Sequence, residues 1–170
     1  MVKPLIREPN LILHKKAVPV KEFSRDLQVL IDAMIETMHA AEGVGLAANQ
    51  VGSPLDVLIA SADGKRGKEL VLINAEVKER KGRHRSPEGC LSLPGVNSDV
   101  TRAAEVIVTG LDRHGKQVAV EATGLMAKIL QHETDHLDGR LFVDRLSVFK
   151  RRRLLKKYAE IAAEIKKVDL

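Results

Sequence analysis

The chain has 170 residues, enough for one domain with a substantial core and too few for a second full domain. Its composition, 44% hydrophobic and 30% charged, excludes disordered, fibrous and membrane-embedded classes, and no run of about 18 apolar residues could span a membrane. The net charge of +5 favours loose association with polyanions. Because Cys90 is the only cysteine and no signal peptide is indicated, we expect a single cytoplasmic domain over residues 1–170.

The first recurring apolar pattern lies between Ser24 and His39. Leucine, isoleucine and methionine return there at helical spacing and Ser24 is a suitable N-cap, which predicts an amphipathic N-terminal helix. The next segment, Gly43–Gln50, contains two glycines and predicts a loop that bends sharply or approaches a ligand closely. This loop is the first candidate site segment.

Apolar runs further along the chain predict strands. Val57–Ala60 and Leu70–Ile73 flank a turn-rich segment, and Ala104–Leu111 and Gln117–Glu121 flank residues 112–116 as in a β-hairpin. Two more helices follow: a buried one over Leu125–Leu137 that ends at Asp138-Gly139, and a basic one over Ser147–Val168. Since helices and strands do not alternate as in βαβ units, the order favours an α+β fold.

The helix over Leu125–Leu137 contains the pattern HExxH. His132 and His136 project from one face of a helix, where two imidazoles can bind one metal ion, and Glu133 lies beside them as a potential base. Such a short pattern also occurs by chance, but burying these three residues in an apolar helix without a shared partner would be costly. A metal ion removes that cost.

A catalytic metal site needs a third protein ligand. Phe142 stands where the metzincin proteases have their third histidine, which excludes that family. Glu160 and Glu164 resemble the downstream ligand of other proteases, but a solvated basic helix explains them better. Cys90, which Gly89 and Pro94 place in non-helical backbone, is the remaining candidate, with a nucleophilic Cys/His pair as the competing chemistry.

Three motifs occur in order along the chain: GVGLAANQ at Gly43–Gln50, EGCLS at Glu88–Ser92 and QHETDHLDG at Gln131–Gly139. Together they resemble the peptide deformylase family. The resemblance implies an α+β fold in which antiparallel or mixed sheets surround a central HExxH helix, with an N-terminal helix and a basic C-terminal helix over residues 150–170. It also implies a hydrolase that removes the formyl group from the N-terminal methionine of nascent polypeptides and releases formate.

The resemblance assigns roles to individual residues. Cys90, His132 and His136 would bind one divalent ion, with Fe(II) expected in the cell and Zn, Ni or Co able to replace it. A metal-bound hydroxide would attack the formyl carbon with Glu133 as general base and then acid. The side-chain amide of Gln50 and the backbone N–H of Leu91 would stabilise the oxyanion.

The same resemblance implies how the substrate is bound. Backbone groups of Val44, Gly45 and Gly89 would contact the peptide, and a methionine pocket would include Val44, Glu88, Leu125, Ile129 and His132. Taken singly, Val44, Leu125 and Ile129 are better explained as core residues. Three positions depart from the family pattern and bear on substrate preference: Ser86, Asn97 and Lys128.

Three other functions stay open at this point. The ligand set could form a structural metal site, although such sites usually have four protein ligands. The same HExxH could serve a general metalloprotease. The basic C-terminal helix could bind nucleic acid; scarce aromatic residues argue against sequence-specific recognition by base stacking, whereas docking on the ribosome through phosphate contacts is expected from the resemblance.

Overall fold

The apolar patterns of the sequence become three α-helices and seven β-strands in the computed structural model, which describes residues 1–168. The helices are α1 (Arg25–Ala40), α2 (Gly124–Leu137) and α3 (Val148–Val168). The strands are β1 (Gly45–Ala47), β2 (Val57–Ala60), β3 (Leu70–Lys81), β4 (His84–Cys90), β5 (Leu93–Arg102), β6 (Glu105–Leu111) and β7 (Gln117–Thr123). The expected α+β class is confirmed, and the expected segment 150–170 extends two residues beyond the described part.

The strands form two separate antiparallel sheets. The larger has the order β1-β2-β3-β6-β7, and the smaller is the hairpin of β4 and β5. Helix α2 packs against the larger sheet through a core that includes Ala127, Leu130 and Leu137. Since β1 lies at the edge of that sheet, one of its sides is free of a neighbouring strand in the described part of the chain.

The predicted helices are confirmed within a residue or two. Helix α1 begins after Ser24, whose hydroxyl accepts a hydrogen bond from the Leu27 N–H. Helix α2 ends before Asp138 and Gly139, and Gly139 adopts φ +73°. A Cβ there would lie 2.7 Å from the backbone of His14, so glycine is required both by conformation and by space.

One prediction of local structure is wrong, and one predicted strand is confirmed but is longer than expected. The segment Gly43–Gln50 is not a simple loop: it contains β1 and the start of a 3₁₀ helix at Ala48–Val51, because backbone pairing with β2 orders it. The strand predicted over Leu70–Ile73 continues as β3 to Lys81. Its second half is mostly exposed and polar, so pairing with β6 rather than an apolar pattern holds it in the sheet.

The smaller sheet was not predicted at all. In β5 the buried residues Leu93, Val96, Val100 and Arg102 are separated by partly or fully exposed residues, with an irregular period that a sequence pattern does not reveal. The hairpin packs on α3, where Tyr158 is buried and its hydroxyl donates to the Glu8 carbonyl at 2.9 Å. Among residues 1–168, none of the helices has both the length and the apolar character that a membrane span needs.

Candidate active site

Three side chains from distant parts of the chain meet between α2 and the smaller sheet. Cys90 ends β4, while His132 and His136 lie one turn apart on α2. One donor atom from each lies within 4.8 Å of the other two, and Cys90 Sγ is 3.2 Å from His136 Nε2. One sulfur and two imidazoles at this separation can hold a single metal ion.

Local structure aims each donor at this point. The i, i+4 spacing on α2 directs both imidazoles to one face. On the other side, the register of β4 and β5 shifts between Gly89 and Cys90, so the end of β4 departs from regular pairing. The Ser92 N–H then donates to Cys90 Sγ at 3.4 Å, which fixes the thiol against its own turn.

The surroundings of the two histidines shift their pKa values in opposite directions. Burial lowers the pKa of His136 well below its usual value, and the charges of His132 and Arg102 add to this, so the His136 imidazole is neutral. Burial opposes a charge on His132 too, but hydrogen bonds with Cys90 and Glu88 raise its pKa well above the usual range. An imidazole binds a metal ion only in its neutral form, so metal binding at His132 would release this proton.

Glu133 lies beside the three donor atoms and is almost fully buried. Its Oε2 has no hydrogen-bond partner among residues 1–168. Burial raises the pKa of this carboxyl to about 7, so that it can both accept and donate a proton near neutral pH. On the opposite side, a Cβ at Gly45 would lie 2.5 Å from Glu133 Oε1 and 2.7 Å from Ile129, so only glycine leaves room for this carboxylate.

Gln50 is held by its side-chain oxygen, which accepts from the Ala47 N–H at 2.9 Å. Its amide group is therefore turned towards the cluster, with Nε2 at 3.2 Å from Ser92 Oγ and 3.6 Å from Cys90 Sγ. Leu91 follows Cys90 directly in the same turn and lines the same cleft. Two predicted oxyanion donors thus flank the predicted ligands.

A cleft of about 590 Å³ opens over these groups. Val44 and Leu125 line it and are exposed, by 41% and 46%, so the alternative that they are core residues is wrong. Ile129 also lines the cleft but is buried and belongs to the core. The remaining predicted substrate residues, Gly45, Glu88 and Gly89, line it as well.

The comparison with known families decides what kind of protein this is. The family model for polypeptide deformylase matches residues 2–152, which is most of the chain. This chain belongs to the peptide deformylase family. The expected resemblance is therefore confirmed, and as a member of this family the chain is a metal-dependent hydrolase that acts on formylmethionyl peptides.

Individual family members support the same conclusion. The chain is 48% identical to the peptide deformylase of Thermodesulfovibrio yellowstonii over 152 residues, which cover 88% of this chain and 92% of that one. It is 43% identical to that of Aquifex aeolicus over 164 residues, covering 95% and 97%. The crystal structure of a peptide deformylase from Legionella pneumophila superposes with a TM-score of 0.94 at 39% identity, covering 98% of both chains.

The network of charged residues behind His132 is not evident from any local sequence pattern. The Nδ1 atom of His132 lies 2.9 Å from the carboxylate of Glu88, which is 3% exposed and also pairs with the guanidinium of Arg102. Burial opposes ionisation of Glu88, but hydrogen bonds from His132 and Arg102 lower its pKa to about 2. Nothing in the local pattern of Arg102 distinguishes it from a solvated strand residue, since its partners lie 14 and 33 residues away.

The three departures from the family pattern have different positions. Asn97 and Lys128 line the cleft, and Lys128 Nζ donates to the Pro87 carbonyl across it. Ser86 lines a neighbouring depression instead. The rim of the cleft in this chain therefore carries a fixed positive charge at residue 128.

Proposed function

We propose that Cys90, His132 and His136 hold one divalent metal ion, and that the surrounding residues use it to hydrolyse the formyl amide of N-formylmethionyl peptides. The observation that carries the proposal is the meeting of these three donor atoms within 4.8 Å beside the buried Glu133. The mixed sulfur and nitrogen set is compatible with Fe(II), Zn, Ni or Co, and we propose Fe(II) as the cellular ion. When bound, the ion supplies Lewis acidity, which lowers the pKa of water to near neutrality.

Glu133 acts as the general base and then as the general acid. Its buried carboxylate, with a pKa of about 7, takes a proton from the attacking water and returns it to the amine of methionine as the carbon–nitrogen bond breaks. Because Oε2 has no partner among the described residues, it is available to the water without first breaking a hydrogen bond. Formate and the free α-amino group are the products.

Gln50 and Leu91 stabilise the negative charge that develops on the formyl oxygen. The carbonyl of the Gln50 side chain is fixed by the Ala47 N–H, so its NH₂ group is oriented before substrate arrives. Preorganised donors of this kind contribute because they need no rearrangement in the transition state, and loss of one typically costs ~3–4 kcal/mol. The backbone N–H of Leu91 is the second donor.

The peptide binds in the cleft beside the free edge of β1. Backbone groups of Val44, Gly45 and Gly89 pair with the substrate backbone as an additional strand would. The methionine side chain lies against Val44, Leu125 and Ile129, with Glu88 and His132 behind it. Partial exposure of Val44 and Leu125 supports this assignment, because a substrate side chain would cover apolar surface that the chain itself leaves open.

A formate-release assay under anaerobic conditions tests the function. The protein loaded with Fe(II) should release formate from a formyl-methionyl peptide and leave the acetylated and free-amine peptides intact. Cleavage inside all three peptides would instead indicate a general metalloprotease. Binding of the metal without any hydrolysis would indicate a structural site, and formate release after complete metal removal would indicate a cysteine nucleophile.

Association with the ribosome is a separate proposal for α3. Among residues 148–165 of this helix, six basic residues are exposed: Lys150, Arg151, Arg152, Arg153, Lys156 and Lys157. Because Tyr158 is buried against the N-terminal segment, removing the helix would also damage the core, and charge neutralisation is the cleaner test. Replacing Arg152, Arg153, Lys156 and Lys157 by Gln should weaken co-sedimentation with ribosomes at moderate salt, whereas neutralising Lys65 and Arg66 should not.

A further inference from the structure

A hydrogen-bonded network of four charged side chains connects His132 to the protein surface. His132 Nδ1 lies 2.9 Å from Glu88 Oε2, and the Arg102 guanidinium donates to both oxygens of Glu88. Arg102 Nη1 also donates to Asp135 Oδ2 at 2.8 Å. Arg145 is the outermost member of the network. Its Nε donates to Asp135 Oδ2 at 3.0 Å, and its Nη2 donates to Asp135 Oδ1 at 2.5 Å.

The burial of these residues makes the hydrogen-bonded network rigid. The side chains of Glu88, Arg102 and Asp135 are 1%, 6% and 7% exposed, so water can replace few of their hydrogen bonds. Arg145 is 40% exposed and closes the outer end. Bidentate contacts of guanidinium with carboxylate fix both partners in one plane and in one orientation.

Within this network, Arg145 satisfies an oxygen of Asp135 that no other described residue reaches. Oδ1 of Asp135 has no other hydrogen-bond donor among residues 1–168, whereas Oδ2 also accepts from Arg102. Without Arg145, a buried carboxylate oxygen would be left unsatisfied. The carboxylate would then turn outwards to water and weaken its contact with Arg102, which in turn orients Glu88.

We infer that Arg145 is a positioning residue for the hydrolysis: through Asp135, Arg102 and Glu88, it fixes the imidazole of His132 in the orientation that binds metal. The inference rests on the proposed metal site. It differs from a purely structural role because the effect must appear at the metal ion. Outer partners of a metal-binding histidine commonly change metal affinity by about 10–100-fold.

The experiment compares Arg145→Gln with Arg145→Lys in protein loaded with Co(II). The loss of Co(II) to an excess of chelator is followed by its visible absorption, with no substrate present. Arg145→Gln should lose the ion about tenfold faster than the wild type, at the lower end of the range for outer partners. Arg145→Lys retains one charged donor and should lie between the two.

Arg151→Gln is the matched control. Arg151 also pairs with a carboxylate, Asp144, at 2.9 Å and is similarly exposed, but it is not connected to His132 by the chain of contacts described above. This variant should lose Co(II) at the wild-type rate. Thermal unfolding of each metal-free variant is measured in parallel, so that a general loss of stability is recognised.

A double-mutant cycle with Glu88→Gln tests the route. If Arg145 acts through Glu88, the two substitutions together should accelerate Co(II) loss by less than the product of their separate effects. The inference would be overturned if the effects of the two substitutions on the rate of Co(II) loss multiplied. It would also be overturned if Arg145→Gln lost Co(II) at the wild-type rate and only its unfolding temperature fell. Failure of the proposed function is distinguishable, because it would appear as a wild-type enzyme that binds Co(II) and releases no formate.

Discussion

The two sides of helix α2 are stabilised by different physical means. The apolar side, Ala127, Leu130 and Leu137, packs on the five-stranded sheet. The polar side, His132, Asp135 and His136, faces Cys90, Glu88 and Arg102 from the smaller sheet. The apolar side tolerates many arrangements of similar volume, whereas the polar side requires each partner at hydrogen-bond distance.

Because of this difference, substitutions on the two sides of α2 should affect function differently. A cavity on the apolar side lowers stability but leaves the metal ligands in place, because the helix and its i, i+4 face persist. A missing partner on the polar side leaves a buried charge or donor unpaired, and the site itself changes. Substitutions made on each side of the helix separate these two outcomes.

Removing a ligand should give the largest effect. We expect Cys90→Ala to lose the metal ion and essentially all formate release, because two histidines alone form an incomplete site. Metal content of the purified protein and formate release are the measurements. Leu130→Ala, on the apolar side of the same helix, is the control and should keep both the metal ion and formate release. If Cys90→Ala retained stoichiometric metal, Cys90 would not be a ligand.

Removing the base should separate metal binding from turnover. Glu133→Gln keeps the size of the side chain but cannot accept a proton, so kcat should fall by about 10²–10⁴-fold while metal content is unchanged. Steady-state kinetics with metal analysis of the same sample check this. Wild-type turnover in this variant would exclude Glu133 as the base.

Filling the space beside Glu133 should impair the site without removing any functional group. In Gly45→Ala, the new Cβ would lie 2.5 Å from Glu133 Oε1, so the carboxylate must move by about 1 Å, and kcat/KM should fall by about 100-fold. Gly89→Ala is a useful contrast, since its Cβ meets the Val96 carbonyl at an ordinary 3.6 Å and should leave Glu133 in place. Equal metal content in both variants, measured alongside kcat/KM, would show that the damage in Gly45→Ala lies at the carboxylate.

The free energy of unfolding compares the two sides of α2 directly. Arg102→Met leaves Glu88 and Asp135 buried without their shared cation and should lower the free energy of unfolding by about 3–5 kcal/mol. Leu130→Ala should cost about 2–5 kcal/mol by creating a cavity. Denaturant unfolding of the metal-free proteins gives both values, and only Arg102→Met should also accelerate loss of Co(II). Equal rates of Co(II) loss in the two variants would contradict the distinction between the sides.

Much of the fold follows from local patterns. The helices at Arg25–Ala40 and Gly124–Leu137 and the hairpin of β6 and β7 are predictable because their apolar residues recur at a fixed period and their ends carry capping or turn residues. The β4–β5 hairpin is not predictable in this way. It is polar, irregular in burial, and ordered by packing against α3.

The site divides in the same manner. The position of His132, Glu133 and His136 at one end of a helix is predictable from the sequence, since i, i+4 geometry is a property of the helix alone. The tertiary structure is what brings Cys90, 42 residues before His132, within 4.8 Å of both imidazoles. It also decided that Arg102, Asp135 and Arg145 align behind His132. Contacts between distant segments depend on how whole elements pack, and no local period or spacing encodes that packing.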